Sequence, residues 1–122
     1  MRKPSSLSVK ITYFDKLGVR RALKRYVAAL TSKHPEIIRI ILFGSVARGD
    51  AVPGSDVDIL IVLSSSKKAF LGRMLDYVPD HFPVGAEVFP YTQAEFEKML
   101  SEGNSFIRSA LNEGEVLFER AA

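Results

Sequence analysis

Two apolar segments joined by a polar turn dominate the stretch IIRIILFGSVARGDAVPGSDVDILIVL, residues 37–63. The segments Ile37 to Phe43 and Val57 to Leu63 are rich in β-branched residues and have the length of strands, which predicts two buried strands. The first segment runs directly into Gly44-Ser45, and the second follows the turn signal Pro53-Gly54-Ser55. This stretch therefore predicts the centre of a small β-sheet.

Helices and further strands are predicted around this centre. A one-sided apolar periodicity predicts a helix from about Asp15 to Lys33, with Asp15 as its N-cap. The other predicted elements are a short helix from Val46 to Asp50, a helix from Lys67 to Tyr77, a strand from Val84 to Phe89 ended by Pro90, a helix capped by Thr92 and running to Ser101, a helix from Ser105 to Asn112, and a closing strand over Val116 to Phe118. Alternating apolar residues predict an N-terminal arm or strand within residues 1–14. The pattern indicates one α/β (α+β) domain over residues 1–122.

The composition excludes several kinds of metal site. The chain has 122 residues and no cysteine, so disulfides and thiolate-bound metals are excluded. Only two histidines are present, which favours carboxylate ligation of a hard cation such as Mg²⁺ over a zinc site. No apolar run approaches the length of a membrane span, and no signal-peptide core follows the basic N-terminus. We therefore expect a cytoplasmic protein without a membrane partner.

Charge is distributed unevenly along the chain. Residues 1–48 hold eleven Lys or Arg and two acidic residues, whereas residues 49–122 hold six Lys or Arg and twelve acidic residues. A basic half can attract a polyanion such as a nucleotide, but we favour the interpretation that these cations form the solvated face of the first helix. Aromatic and basic residues do not alternate as they do on nucleic-acid surfaces, so direct nucleic-acid binding is not expected.

Asp56 and Asp58 begin the second apolar strand. Because the side chains of a strand alternate between its faces, the two carboxylates point the same way, with Cα atoms roughly 7 Å apart. Like charges this close repel each other unless a cation lies between them. Carboxylates that share Mg²⁺ with substrate phosphates are typical of phosphoryl and nucleotidyl transfer. The alternative is that both residues only cap the turn after Gly54-Ser55.

Gly44-Ser45 ends the first strand before a short helix, where backbone N–H groups can bind phosphate. The Ser45 hydroxyl can donate to a phosphate oxygen, and Arg48 can either face the phosphate tail or remain solvated. No Gly-Lys-Ser/Thr follows, so this segment is not a Walker A loop.

Glu87 is the third candidate, because a carboxylate within an apolar strand requires a reason. It could serve as the general base for an attacking hydroxyl or as a further metal ligand. The alternative is a partly exposed acid on an edge strand.

The order Gly44-Ser45, ten residues, then Asp56-x-Asp58 resembles the signature of the DNA polymerase β-like nucleotidyltransferase superfamily, and above all its minimal nucleotidyltransferase branch. The third catalytic strand of that branch usually carries aspartate where this chain has Glu87. Further matches are Arg48, Gly49, Asp50, Ser55, the strand segment Glu87 to Thr92, and the tail from Asn112 to Glu119. The resemblance covers roughly residues 37–120.

The resemblance implies a polymerase β-like fold, a small mixed sheet with helices packed mainly on one face. It implies transfer of a nucleoside monophosphate, AMP from ATP above all, to an acceptor hydroxyl with the help of two Mg²⁺ ions. The implied catalytic residues and metal ligands are Asp56, Asp58 and Glu87, and the implied nucleotide-binding residues are Gly44, Ser45, Arg48 and Ser55. Minimal members are often antitoxins that adenylylate a tyrosine of a HEPN-type toxin partner.

Two other functions stay open at this level. One is a nucleotidyltransferase for a small, antibiotic-type molecule. Such enzymes usually carry an extra helical domain, so this chain would need to form a homo-oligomer with a shared cleft. The other is a non-catalytic module that neutralises a partner by contact, which the glutamate in place of aspartate would permit.

Overall fold

The computed structural model describes residues 13–121. Its elements are α1 (Lys16–Lys33), β1 (Ile37–Phe43), α2 (Gly44–Arg48), β2 (Val57–Leu63), α3 (Phe70–Tyr77), β3 (Ala86–Thr92), α4 (Gln93–Ser101), α5 (Ser105–Glu113) and β4 (Glu115–Glu119). Every element predicted after residue 14 is present, with ends that differ by a few residues. The predicted N-terminal arm or strand lies almost entirely outside the described residues.

The four strands form one mixed sheet in the order β3-β2-β1-β4. β1 pairs antiparallel with both β2 and β4, and β2 pairs parallel with β3. The register places Phe43 opposite Asp58, and Asp58 opposite Glu87. The predicted mixed α/β fold with a small sheet is confirmed, and its register brings the candidate residues of three segments to one end of the sheet.

Helices cover both faces of the sheet, so the expectation that they pack mainly on one face is wrong. On one face, α1 contributes Val19, Leu23 and Leu30 to a core that also contains Tyr77 of α3. On the other face, Phe96 of α4 and two residues of α5, Ile107 and Ala110, form a second core. The physical reason lies in β1 and β2, whose apolar residues are buried in both directions and therefore require a helical layer on each side.

Side-chain caps fix the starts of two long helices as the sequence predicted. The Asp15 carboxylate accepts a hydrogen bond from the N–H of Gly18 at 3.0 Å. Thr92 and Glu95 form a complete capping box at the start of α4, in which each side chain binds the backbone N–H of the other residue. These contacts involve residues three apart, which is why they could be predicted from the sequence.

Several predicted boundaries differ from the structure by one to three residues. The short helix begins at Gly44 rather than Val46, and α3 begins at Phe70 rather than Lys67. Pro90 does not end its strand, because β3 continues to Thr92. Proline is tolerated here because β3 is an edge strand among residues 13–121, and the N–H that Pro90 lacks is not needed in the ladder with β2.

A buried arginine ties α3 to β3 and α4, and the sequence did not predict it. The Arg73 guanidinium donates to Glu95 at 2.7 and 2.9 Å and to the carbonyl of Pro90 at 3.0 Å. Its side chain is 5% exposed, whereas that of Glu95 is 43% exposed. The hydrogen bonds from Arg73 lower the pKa of Glu95 from 4.5 to about 2. The half-exposed carboxylate of Glu95 therefore neutralises the buried positive charge of Arg73.

We expect Glu95→Gln to lower the free energy of unfolding by about 2 kcal/mol at pH 7, since the buried cation of Arg73 loses its counter-charge. Because the folded-state pKa of Glu95 is depressed, its contribution is complete above pH 4.5 and is lost as the pH falls toward about 2. Urea denaturation at several pH values measures this. Glu97→Gln, an exposed acid on the same helix, is the control, and an equal loss for both variants at pH 7 would contradict the role of the pair.

Within residues 13–121, none of the helices is both long enough and apolar enough to span a bilayer.

Candidate active site

Asp58 lies at the centre of the candidate site, near the start of β2. Its carboxylate rests against the Cα of Gly44: a Cβ added to Gly44 would lie 2.2 Å from Oδ2 of Asp58. This contact follows from the antiparallel pairing of Phe43 with Asp58, which places the end of β1 beside the acid. The structure thus brings the aspartate and the Gly-Ser turn together, as the sequence predicted.

Glu87 and Asp56 flank this carboxylate on the side of β3. Glu87 is the direct register partner of Asp58 on the parallel neighbour strand, so both side chains leave the same face of the sheet. Asp56 lies one alternation earlier, and its carboxylate rests over Gly85, where an added Cβ would lie 2.2 Å from Oδ1. Asp56 and Glu87 are exposed, and Asp58 is partly buried.

The electrostatics of this group are those of crowded acids. Burial above all, and then the negative charges of Glu87 and Asp56, raise the pKa of Asp58 from 3.8 to about 6, while Arg48 opposes the shift. A carboxylate whose ionisation is disfavoured by its neighbours gains most from a bound cation.

The donors offered here are carboxylate oxygens, the ligands that Mg²⁺ prefers. Within residues 13–121, however, no three acidic, histidine or cysteine side chains already lie close enough to enclose a metal ion. The chemistry of the donors therefore fits Mg²⁺, and the assignment of Asp56, Asp58 and Glu87 as its ligands stays a prediction.

The turn at Gly44 depends on glycine for two reasons. Gly44 has φ of +80°, in the left-handed region that side chains disfavour, and the contact with Asp58 leaves no room for a Cβ. Ser45 follows in the first turn of α2, and its carbonyl accepts hydrogen bonds from the N–H groups of Gly49 and Asp50. The backbone of this turn is thus fixed beside the carboxylate of Asp58.

Glu113 at the end of α5 also belongs to the site, although the sequence indicated it only as part of a tail that resembles the family. Its carboxylate accepts from the Gly44 N–H and from Arg48, each at 3.0 Å. Arg48 in addition contacts Asp50 at 3.2 Å. A phosphate at the Gly44 N–H would therefore have to compete with Glu113, or be held by Ser45 instead.

Ser55 has a defined structural contact just before Asp56. Its hydroxyl accepts from the N–H of Val52 at 2.9 Å, and its own N–H donates to the Val52 carbonyl at 2.9 Å. These bonds close the turn that leads into β2. The structure thus places Ser55 next to the acids, and its predicted contact with a nucleotide stays a prediction.

We expect Glu113→Ala to lower the free energy of unfolding by about 2 kcal/mol, because the partly buried N–H of Gly44 loses its acceptor. Urea denaturation measures the change, and the Gly44 amide resonance should shift in an NMR spectrum. Glu102→Ala serves as the control, since the ion pair of Glu102 with Lys98, at 3.8 Å, is exposed. A loss no larger than that of the control would show that Glu113 does not hold the turn.

The site thus combines carboxylates at the start of one strand with a Gly-Ser turn at the end of the antiparallel neighbour strand. This combination places the chain in the class of enzymes that transfer nucleotidyl groups. The chain belongs to the nucleotidyltransferase domain family, whose sequence profile, described as "Nucleotidyltransferase domain", matches residues 23–117.

One relative supports this assignment, and one solved structure supports the fold. A protein of Methanocaldococcus jannaschii named "Putative protein adenylyltransferase MJ0604" is 38% identical over 110 residues, which cover 84% of this chain and all of that protein. The crystal structure of "a putative nucleotidyltransferase" from Sulfolobus solfataricus aligns with a TM-score of 0.62 over 86% of this chain and 84% of that chain. At 20% identity, the latter supports the fold alone.

Proposed function

We propose that this chain is a Mg²⁺-dependent cytoplasmic adenylyltransferase that moves AMP from ATP to a hydroxyl group of a protein. The observation that carries the proposal is the position of the Asp58 carboxylate, which lies between the glycine of the Gly-Ser turn and Glu87 on the neighbouring strand. An acceptor, a cation and a triphosphate must meet at one point for this reaction, and the strand pairing brings the residues proposed to bind them to one end of the sheet.

Each candidate residue has a proposed role. Asp56 and Asp58 hold the cation, with Glu87 as a further ligand, and Mg²⁺ when bound offsets the charge of the triphosphate. The triphosphate is held by Gly44, Ser45, Arg48 and Ser55. Glu87 accepts the proton of the attacking hydroxyl, whose oxygen forms a bond to the α-phosphorus as the bond to the bridging oxygen breaks and pyrophosphate leaves.

The proposed acceptor is a tyrosine of a HEPN-type toxin, which the modification would silence, so that this chain acts as the antitoxin. Support for a protein acceptor comes from the relative in Methanocaldococcus jannaschii, whose name specifies protein adenylylation. Support for the HEPN-type partner comes from the resemblance to the minimal nucleotidyltransferase branch over Gly44-Ser45 and Asp56-x-Asp58.

Transfer of label from [α-³²P]ATP to a co-expressed HEPN-type protein in the presence of Mg²⁺ tests this function. We expect labelling by the natural chain, none by the Asp56→Asn, Asp58→Asn double variant, and none after chelation of the metal. Mass spectrometry of the labelled protein should locate AMP on a tyrosine. Equal labelling by the natural chain and the double variant would refute the proposal, and protection from the toxin by the double variant would favour neutralisation by contact.

A further inference from the structure

An open groove runs along the outer edge of β3, the strand that carries the candidate base. One wall consists of Met74 and Leu75 of α3 together with Val78, the residue that follows this helix. The other wall consists of residues 86–89 of β3, including Glu87. Its volume is about 240 Å³. The groove, here called the β3-edge groove, therefore follows the strand that carries Glu87, and the side chain of Glu87 projects from the other face of the sheet.

The backbone along this groove has groups that point away from the sheet. In the described part of the chain, β3 is an edge strand whose one partner is β2. The carbonyl of Gly85 accepts from the N–H of Val57, so Gly85 and the odd-numbered residues after it face β2. Since successive residues of a strand alternate, the N–H and C=O groups of Ala86 and Val88 face outward. An extended segment could pair with them as a fifth strand.

The same alternation explains why the open edge stops at Pro90. The backbone of Pro90 faces outward, as those of Ala86 and Val88 do, but proline has no N–H. Its carbonyl already accepts a hydrogen bond from Arg73 at 3.0 Å. The open part of the edge is thus confined to the stretch beside Glu87, which fixes where a paired segment would lie.

The α3 wall has large apolar side chains that are exposed to solvent. Leu75 is 81% exposed and Leu71, one turn earlier, is 77% exposed, with Val78 continuing the stripe at 42%. Ala86 and Val88 pack toward the same side as Met74, whereas Glu87 projects from the opposite face. A strand added to β3 would therefore place alternate side chains against Leu75 and Val78, and the residue between them beside Glu87.

We propose that the β3-edge groove binds the acceptor as an extended polypeptide that pairs with Ala86 and Val88, carrying its reactive hydroxyl between two apolar residues. The proposal rests on the proposed function for the identity of the reaction, since only a protein acceptor can supply such a segment. Neighbouring strands lie about 4.8 Å apart, which puts a side chain opposite Glu87 within reach of its carboxylate. We therefore expect the groove to prefer acceptor segments in which a tyrosine is flanked on both sides by an apolar residue.

Two synthetic peptides of equal composition test this surface. One peptide carries valine directly before and directly after its single tyrosine. In the other, the same valines stand two positions before and two positions after the tyrosine, so that in a strand they would point to the same face as the tyrosine. We expect the first to bind at least about tenfold more tightly by fluorescence anisotropy. It should also shift the amide resonances of Ala86 and Val88. Equal affinities, or no binding by either peptide, would overturn the proposal.

Variants of the groove supply the second arm of the experiment. Leu75→Arg and Ala86→Pro should each weaken binding about tenfold, the latter by removing an outward N–H at a position with the parity of the natural Pro90. Leu17→Arg is the matched control, because Leu17 is 71% exposed on α1 and lies outside the groove. Unchanged binding by both groove variants would overturn the docking surface.

Labelling separates the two proposals. A peptide that binds in the groove but receives no AMP from [α-³²P]ATP and Mg²⁺ would contradict the proposed function and leave the docking surface standing. A peptide that is labelled equally by Leu75→Arg, Ala86→Pro and the natural chain would overturn the docking surface and leave the proposed function standing.

Discussion

Asp58→Asn is expected to lower the rate of AMP transfer by at least about a thousandfold, the effect of removing a group on which a catalytic site depends. Asp58 lies against Gly44 on one side and beside Glu87 on the other, so its carboxylate stands between the Gly-Ser turn and the neighbouring strand. Asparagine keeps the shape of the side chain but withdraws the anionic oxygen that the cation would bind. The measurement is incorporation of label from [α-³²P]ATP.

The same substitution should not destabilise the fold. Burial and the charges of Glu87 and Asp56 raise the pKa of Asp58 to about 6, so its ionised form is disfavoured in the folded state. At pH 7 the aspartate is mostly ionised, and replacing it by a neutral amide removes that repulsion. We therefore expect the urea midpoint of Asp58→Asn to be unchanged or higher at pH 7, with the difference vanishing as the pH falls below about 4.

Asp80→Asn provides the control, since Asp80 is an exposed acid in the loop after α3 and should leave both activity and midpoint unchanged. Activity of Asp58→Asn within about tenfold of the natural chain would remove Asp58 from the reaction. A large fall in its midpoint would instead mean that the loss of activity reports unfolding.

Gly44→Ala is expected to have the second largest effect, with activity reduced at least about a hundredfold. The new methyl group would lie 2.2 Å from Oδ2 of Asp58, so either the carboxylate or the turn has to move. The left-handed φ of +80° adds strain of about 1–2 kcal/mol for a residue with a side chain. Transfer of AMP and urea denaturation, measured on the same preparation, report the two consequences.

Gly49→Ala is a matched control within the same short segment. Gly49 has φ of +86°, so its substitution carries a similar backbone strain, but among residues 13–121, its two chain neighbours aside, no atom lies within 4 Å of the added Cβ. Gly49→Ala should lose only the stability that the backbone strain costs and should keep its activity, whereas Gly44→Ala should lose activity and at least as much stability. Equal activity in the two would show that the contact between Gly44 and Asp58 has no bearing on the reaction.

The elements of this fold were predictable where short-range patterns define them. The apolar, β-branched runs predicted β1 and β2, and their alternation put Asp56 and Asp58 on one face before the sheet was known. The caps at Asp15 and Thr92 are contacts between residues three apart, so their sequence spacing predicted them.

The errors arise where long-range packing decides. Helices on both faces, rather than one, follow from burial of both faces of β1, a property of the assembled sheet. Pro90 was predicted to end β3, yet it lies inside the strand because its position faces away from β2, the partner of β3 in the described part of the chain. Whether a proline interrupts a ladder depends on which side of the strand is paired, and only the strand order reveals that.

Taken alone, the sequence determined the strands, two helix caps and the acid pair, because all of these depend on residues a few positions apart. The tertiary structure alone decided the antiparallel register that presses Asp58 against Gly44, the contact of Glu113 with a turn 69 residues away, and the pairing of buried Arg73 with Glu95. The physical reason is that such contacts form between side chains brought together by strand pairing and core burial, and no local periodicity encodes which distant partner each side chain meets.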